Sequence, residues 1–264
     1  MLRSLAERLS RGVVLRRRLP QDLGGHLIYV TPDSALNFWR PSLERADTGG
    51  LMDTVRRFVS RDSVAWDVGA NVGLFSFSAA AKARTVLAVE PDPWLGALLN
   101  RSASAITNVR VLCAAVADTV DLGELNIAQR GRSSNFMSGF GNSQTGGIRN
   151  RQFVVTVTLD WLAERFPVPD VVKIDVEAGE RLVLEGGRAL FNRTRPLLIC
   201  EVASANSSWV TNFLLPLGYS FLDEDLKATS IAIDNIVAVP GTFGACHRRD
   251  DPTEVESLLN SRRR

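Results

Sequence analysis

From residue 64 onward, short apolar runs alternate with stretches whose apolar positions recur at helical spacing. The runs are Val64–Val68, Thr85–Val89, Val109–Ala114, Val171–Val176, Leu197–Val202, Tyr219–Leu222 and Ile231–Val239. Such runs read as strands buried on both faces, and Leu74–Ala83 and Pro93–Ala105 fit crossover helices between the first of them. This alternation predicts βαβ units: an α/β, Rossmann-like fold with a mainly parallel sheet and helices on both faces. Upstream, Leu51, Val55, Phe58 and Val59 share one face of a helix over Gly50–Phe58, and His26–Val30 predicts a short strand. Leu2, Leu5, Leu9 and Val13 recur near helical spacing, with Arg3, Arg8 and Arg11 elsewhere on the wheel. Arg16, Arg17 and Arg18 follow, and Pro20 ends what reads as one basic amphipathic helix. One segment breaks the βα rhythm. Leu122–Ala128 and Phe153–Leu159 predict two strands, and Gln129–Gln152 between them is rich in Gly, Ser, Asn and Arg. A polar excursion of that length predicts a loop at the mouth of a site.

Composition narrows this only a little. The 264 residues, 45% hydrophobic and 23% charged, suffice for one large core. They divide into an N-terminal basic helix and extension (1–49), a core domain (50–240) and a C-terminal tail (241–264) ending in Arg262, Arg263 and Arg264. A formal net charge of +2 argues against a dedicated nucleic-acid binder. Cys113, Cys200 and Cys246 are scattered, and His26 and His247 are distant, so neither a disulfide framework nor a metal site of His and Cys is implied. No run approaches the ~18 apolar residues of a membrane helix. Arg3, Glu7, Arg8 and Arg11 interrupt any signal-peptide core, so the expected location is cytoplasmic. The N-terminal helix reads as docked on the body, with attachment to an anionic membrane surface or a partner as the other reading.

The candidate chemistry starts where the first core strand, ending at Asp67-Val68, runs into Gly69-Ala70-Asn71-Val72-Gly73 and a helix. Strand, glycine turn and helix start form a ligand crevice at the carboxyl edge of a parallel sheet. Gly69 would let a ligand approach the backbone, and Gly73 would let the helix pack on the strand. Asn71 stands where a dinucleotide fingerprint needs its second glycine, and Asp67 is unfavourable beside a pyrophosphate. Both favour a cationic, phosphate-free nucleoside, S-adenosylmethionine, over NAD. Glu90, about twenty residues on, would accept the ribose hydroxyls. Asp118, after the third strand, would accept from the adenine amino group or serve as a turn residue.

A second cluster sits at the fourth core strand. Lys173 and Asp175 project to one side, with Glu177 and Glu180 just beyond. A charged pair inside an apolar strand is costly unless paired or facing a cavity. Asp175 or Glu177 would act as base or hydrogen-bond an acceptor, and Lys173 would tether the cluster or favour an ionised neighbour. Glu180 would supply a favourable charge at a helix start, and Glu201 would join the acceptor pocket. Nothing in the spacing requires a metal.

The segments Asp67–Gly73, Val89-Glu90-Pro91, Thr158-Leu159-Asp160, Lys173–Glu180 and Val183–Gly186, with strands at Pro196–Glu201 and Asn235–Pro240, resemble the FkbM-type methyltransferases across roughly residues 50–240. The resemblance implies a seven-stranded sheet whose last strand is antiparallel. It also implies S-adenosylmethionine as methyl donor and a hydroxyl acceptor on a sugar, glycan or other natural product. One departure is local: the family reads Asp-Val-Glu-Gly-x-Glu, whereas here Ala178 precedes Gly179. Three other readings stay open: an NAD-dependent oxidoreductase, a methyltransferase-like binding protein without catalysis and, on the basic termini alone, a nucleic-acid methyltransferase.

Overall fold

The computed structural model describes residues 2–139 and 145–241. In chain order the elements are α1 (Leu2–Leu9), β1 (Leu15–Arg18), β2 (Leu27–Val30), α2 (Leu43–Ala46), α3 (Leu51–Phe58), β3 (Val64–Val68), α4 (Leu74–Ala80), β4 (Thr85–Val89) and α5 (Pro93–Ala103). They continue with β5 (Val109–Leu112), β6 (Ala115–Val116), β7 (Asp121–Ala128), β8 (Phe136–Met137), β9 (Ile148–Val157), α6 (Leu159–Ala163), β10 (Val171–Ile174), α7 (Glu180–Glu185) and α8 (Arg188–Thr194). The last are β11 (Leu197–Val202), α9 (Ser207–Leu214), β12 (Tyr219–Leu222), β13 (Ala228–Thr229) and β14 (Asp234–Pro240).

The main sheet runs β13-β12-β14-β11-β10-β3-β4-β5. Five neighbouring strands, β11, β10, β3, β4 and β5, are parallel. The last strand, β14, inserts antiparallel between β11 and β12. This is the expected Rossmann-like sheet of seven strands, with the two-residue β13 added at one edge. The strand order reverses beside β3, so the crevice between the ends of β3 and β10 is the topological switch point where such sheets bind ligands. All five residues of β3 and all four of β10 are buried, which explains their apolar runs, broken only by Asp67 and Lys173.

A second sheet, β6-β9-β7-β8, stands over that edge. Its long β7–β9 ribbon pairs Leu122 with Val155 and Leu125 with Gln152. The excursion expected at Gln129–Gln152 is therefore more ordered than a loop: it holds a 3-10 turn at Arg132–Ser134, β8 and the first half of β9. Residues 140–144 of it lie outside the described residues.

Several boundaries differ from the sequence expectation. The N-terminal helix stops at Leu9, and Leu15–Arg18 is a strand paired antiparallel with β2. Gly12, at φ 73, makes the break. The Phe153–Leu159 strand ends at Val157, because Thr158 accepts the Trp161 N–H and caps α6. The Val171–Val176 strand ends at Ile174, where the chain turns through positive φ at Glu177 (21°) and Ala178 (67°). The Ile231–Val239 strand starts at Asp234. The N-terminal extension is not an appendage in packing: Leu19, Leu23, Ile28, Val30, Phe38 and Leu43 share one apolar cluster with Ala65, Val86 and Val171 of the sheet. Cys246, His247 and the terminal arginines lie outside the described residues.

Candidate active site

Three chain reversals meet at the carboxyl edge of the sheet. The Gly69 and Ala70 N–H groups both donate to the Val89 carbonyl, at 2.9 and 3.0 Å, and the Asp175 N–H donates to the Val68 carbonyl at 3.0 Å. Gly69 adopts φ 77, and a Cβ there would lie 1.9 Å from the Asp175 carbonyl oxygen. Its freedom from a side chain permits this backbone-to-backbone approach at the cavity floor. At Gly73 (φ 85) a Cβ would meet the Phe77 ring and the Leu99 methyl, so that glycine seats α4 against α5.

These reversals floor a cavity of about 450 Å³, within the usual range for small-molecule sites. Gly69, Asn71 and Glu90 line one end, with Val68, Leu95, Ala114 and Val116 as apolar wall. Asp175, Glu177 and Glu201 line the other end. The β7–β8 arm supplies a third wall, including Arg132, Ser133, Asn135 and Phe136.

Glu90 is buried and faces this space. Its Oε2 accepts the Asn71 N–H at 2.7 Å and its Oε1 accepts the Asp92 N–H at 2.9 Å. Burial outweighs those donors and pushes the carboxyl up to about 7. Asn71 sits at φ 54, and its Oδ1 accepts the Ser34 hydroxyl at 2.5 Å.

Behind the floor lies a buried charge chain. Lys173 Nζ is 3.1 Å from Asp67 Oδ1 and 3.2 Å from Asp175 Oδ2, and it donates to the Gly69 carbonyl at 3.3 Å. Burial alone would push the ammonium down, but Asp175 and Asp67 overcome it and raise it above the usual lysine range. Asp67 is fully buried and accepts the Ser76 N–H and hydroxyl at 3.1 and 2.5 Å. Toward solvent, burial and then the Asp175 charge raise the Glu201 carboxyl. Glu180 points inward and is 1% exposed; its Oε2 accepts Asn206 Nδ2 at 2.6 Å. It is thus more than a charge at a helix start.

Of the residues read from the sequence as cofactor-binding, Gly69, Asn71 and Glu90 line the cavity. Asp67, Ala70 and Gly73 lie behind its wall, buried in the loop that shapes it. Asp118 is exposed and outside the lining, whereas Ala115, Val116 and Ala117 just before it form the wall. Of the three read as catalytic, Asp175 and Glu177 line the cavity and Lys173 supports it from beneath.

The sequence reading missed a latch. Arg132 Nε is 3.0 Å from Asp33 Oδ2, Arg132 Nη1 pairs with Asp92, and the guanidinium sits 4.6 Å over the Trp94 ring. Arg149 adds two contacts of 3.0 Å to Asp33, and Asn135 donates to Asp92 at 2.9 Å. Asp33 and Asp92 are buried, so these pairs fix the arm over the cavity. Asp92 also caps α5 through the Trp94 N–H, the role its position before Pro93 suggests.

Residues 67–223 match the family described as the methyltransferase FkbM domain. A hexuronic acid methyltransferase, AglP of Haloferax volcanii, is 28% identical over 181 residues, covering 65% of this chain and 69% of that protein. Among solved structures, methyltransferase FkbM from Methylobacillus flagellatus KT is 16% identical with a TM-score of 0.46, covering 68% of this chain and 44% of that one. TYW2 of M. jannaschii, in complex with AdoMet, is 11% identical with a TM-score of 0.45, covering 85% and 84%. The family match runs from the end of β3 through β12 and takes in every wall of the cavity, and by it this chain belongs to the FkbM methyltransferases.

Proposed function

We propose that the protein transfers a methyl group from S-adenosylmethionine to a hydroxyl of a sugar or sugar-like acceptor, with residues 50–240 as the transferring unit. The observation that carries this is the charge of the cavity. Its walls bear the carboxylates of Glu90, Asp121, Glu124, Asp175, Glu177 and Glu201. Arg132, the cation of that wall, is already engaged by Asp33 and Asp92. Such a cavity suits a cationic ligand and disfavours a diphosphate, because an anion would meet carboxylates without a free positive partner.

The residues fit the group. Glu90 stands where a carboxylate can accept from a diol, and Val68, Leu95, Ala114 and Val116 offer apolar faces to a ring. The bound cofactor supplies a methyl already activated by its sulfonium. The chain must then align the acceptor oxygen, exclude water and receive the hydroxyl proton. Asp175 holds the acceptor hydroxyl, and Lys173 fixes the Asp175 carboxylate from behind. Asp175 or Glu177 takes the hydroxyl proton, and Glu201 stands alongside in the acceptor pocket. Ser133, Asn135 and Ser138 on the arm add hydrogen-bonding groups suited to a polyhydroxylated acceptor. The relative named for hexuronic acid supports a sugar acceptor.

The test is transfer of labelled methyl to a panel of sugar hydroxyls. Asp175→Asn is expected to lower kcat by about 10²–10⁴ with cofactor affinity retained. Unchanged turnover would remove Asp175 from the chemistry, and transfer only to amines or nucleic acid would overturn the acceptor class.

A further inference from the structure

We propose that the N-terminal face of the molecule docks on an anionic lipid bilayer, lying on the surface. Residues 1–18 carry six arginines against one glutamate. That glutamate, Glu7, is tied to Arg3 at 3.0 Å and its side chain is only 12% exposed, so little negative charge offsets the arginines. The apolar face of α1 is not packed away. Leu5 is 54% exposed and Leu9 67%, and the exposed Arg8 flanks that face, three residues after Leu5.

Trp39 extends the same surface. Its indole N–H donates to the Ser10 hydroxyl, one residue past Leu9, at 3.0 Å, while the residue stays 47% exposed. Arg11 and Arg40, both exposed, flank it. A single exposed leucine needs no explanation, but two leucines and a tryptophan set among arginines form an interfacial pattern. The apolar side chains suit the acyl boundary, the indole suits the headgroup level, and the arginines suit anionic headgroups. Helix α1 has eight residues, and among the described residues no helix is long and apolar enough to cross a membrane. The docked face also adjoins the catalytic arm: Arg11 Nη2 donates to the Gln129 carbonyl at 3.5 Å, and Arg132 follows three residues later.

The experiment is co-sedimentation of the full chain with vesicles of phosphatidylcholine alone and of phosphatidylcholine mixed with phosphatidylglycerol, at low and high salt. The expected result is binding to the anionic vesicles only, lost at high salt. Arg8→Glu/Arg11→Glu should weaken that binding at least about tenfold. Leu5→Glu/Leu9→Glu should abolish it while leaving the thermal midpoint and S-adenosylhomocysteine affinity unchanged, which shows the fold intact. Equal binding to neutral vesicles, or no binding to either, would overturn the proposal. So would a lipid-free dimer that Leu5→Glu/Leu9→Glu dissociates, since a second copy would then own this face.

Discussion

A Cβ on Gly69 would sit 1.9 Å from a backbone oxygen that cannot swing aside, and φ 77 adds strain for any L side chain. Gly69→Ala should therefore cost about 2 kcal/mol or more in urea unfolding and loosen the junction that floors the cofactor end. Glu90 makes a different demand. Its carboxyl titrates near 7 in the folded chain against 4.5 without the fold. Between those values the folded chain keeps a proton that the unfolded chain has lost. Stability contributed by this group is thus full below pH 4.5 and lost as pH rises to about 7. Glu180 and Glu201, also raised by burial, tilt the same way, so the difference between wild type and Glu90→Gln isolates the effect. Unfolding midpoints across that window should fall less in Glu90→Gln. Cofactor affinity should rise with pH over the same range in the wild type alone, because the ionised carboxylate is the better acceptor for ribose hydroxyls. That Glu90 and Gly69 line the cavity was foreseeable, because both sit at strand ends in fixed register. Asp118 is exposed and outside the cavity lining, in keeping with the turn-residue alternative, because being acidic after a third strand says nothing of which way the turn points.

At the scale of elements, ion pairs tie the arm from Gly131 to Ser138 to the body, beside the packing of Phe136 and Met137. Arg132 bridges Asp33 and Asp92, both at most 3% exposed. Arg132→Ala should leave Asp92 with Asn135 and the α5 cap alone, costing about 2 kcal/mol and speeding proteolysis of the arm. Arg165→Ala, which breaks an exposed pair with Glu164, should change stability by less than about 0.5 kcal/mol and serves as control. None of this latch showed in the sequence, since its partners lie 40 to 116 residues apart. Elements with local signals fared better. Strands β3, β4, β11 and β12 match their apolar runs end to end, because most of their residues are buried and few are polar. Strand β1 was hidden because Leu-Arg-Arg-Arg pairs with β2 along one exposed and one half-buried row, and such a row has no apolar period to read.

At the scale of the whole molecule, motif and architecture explain each other. Asp160 accepts the Ala189 and Leu190 N–H groups and caps α8 from a distance, and a Cβ on Gly186 would meet the Ala117 carbonyl at 2.1 Å. Those family-like residues hold helices against the sheet, whereas Glu90, Asp175 and Glu177 face the cavity. Ala178 takes φ 67, a left-handed conformation that is strained for an L side chain. The central claim is that this cavity receives a cationic, phosphate-free nucleoside. Calorimetric titration of the full chain with S-adenosylhomocysteine and, separately, with NAD tests it most directly. Binding of the adenosyl sulfur compound, weakened in Glu90→Ala, with no heat from NAD, is the predicted result; saturable binding of NAD with none of S-adenosylhomocysteine would contradict it.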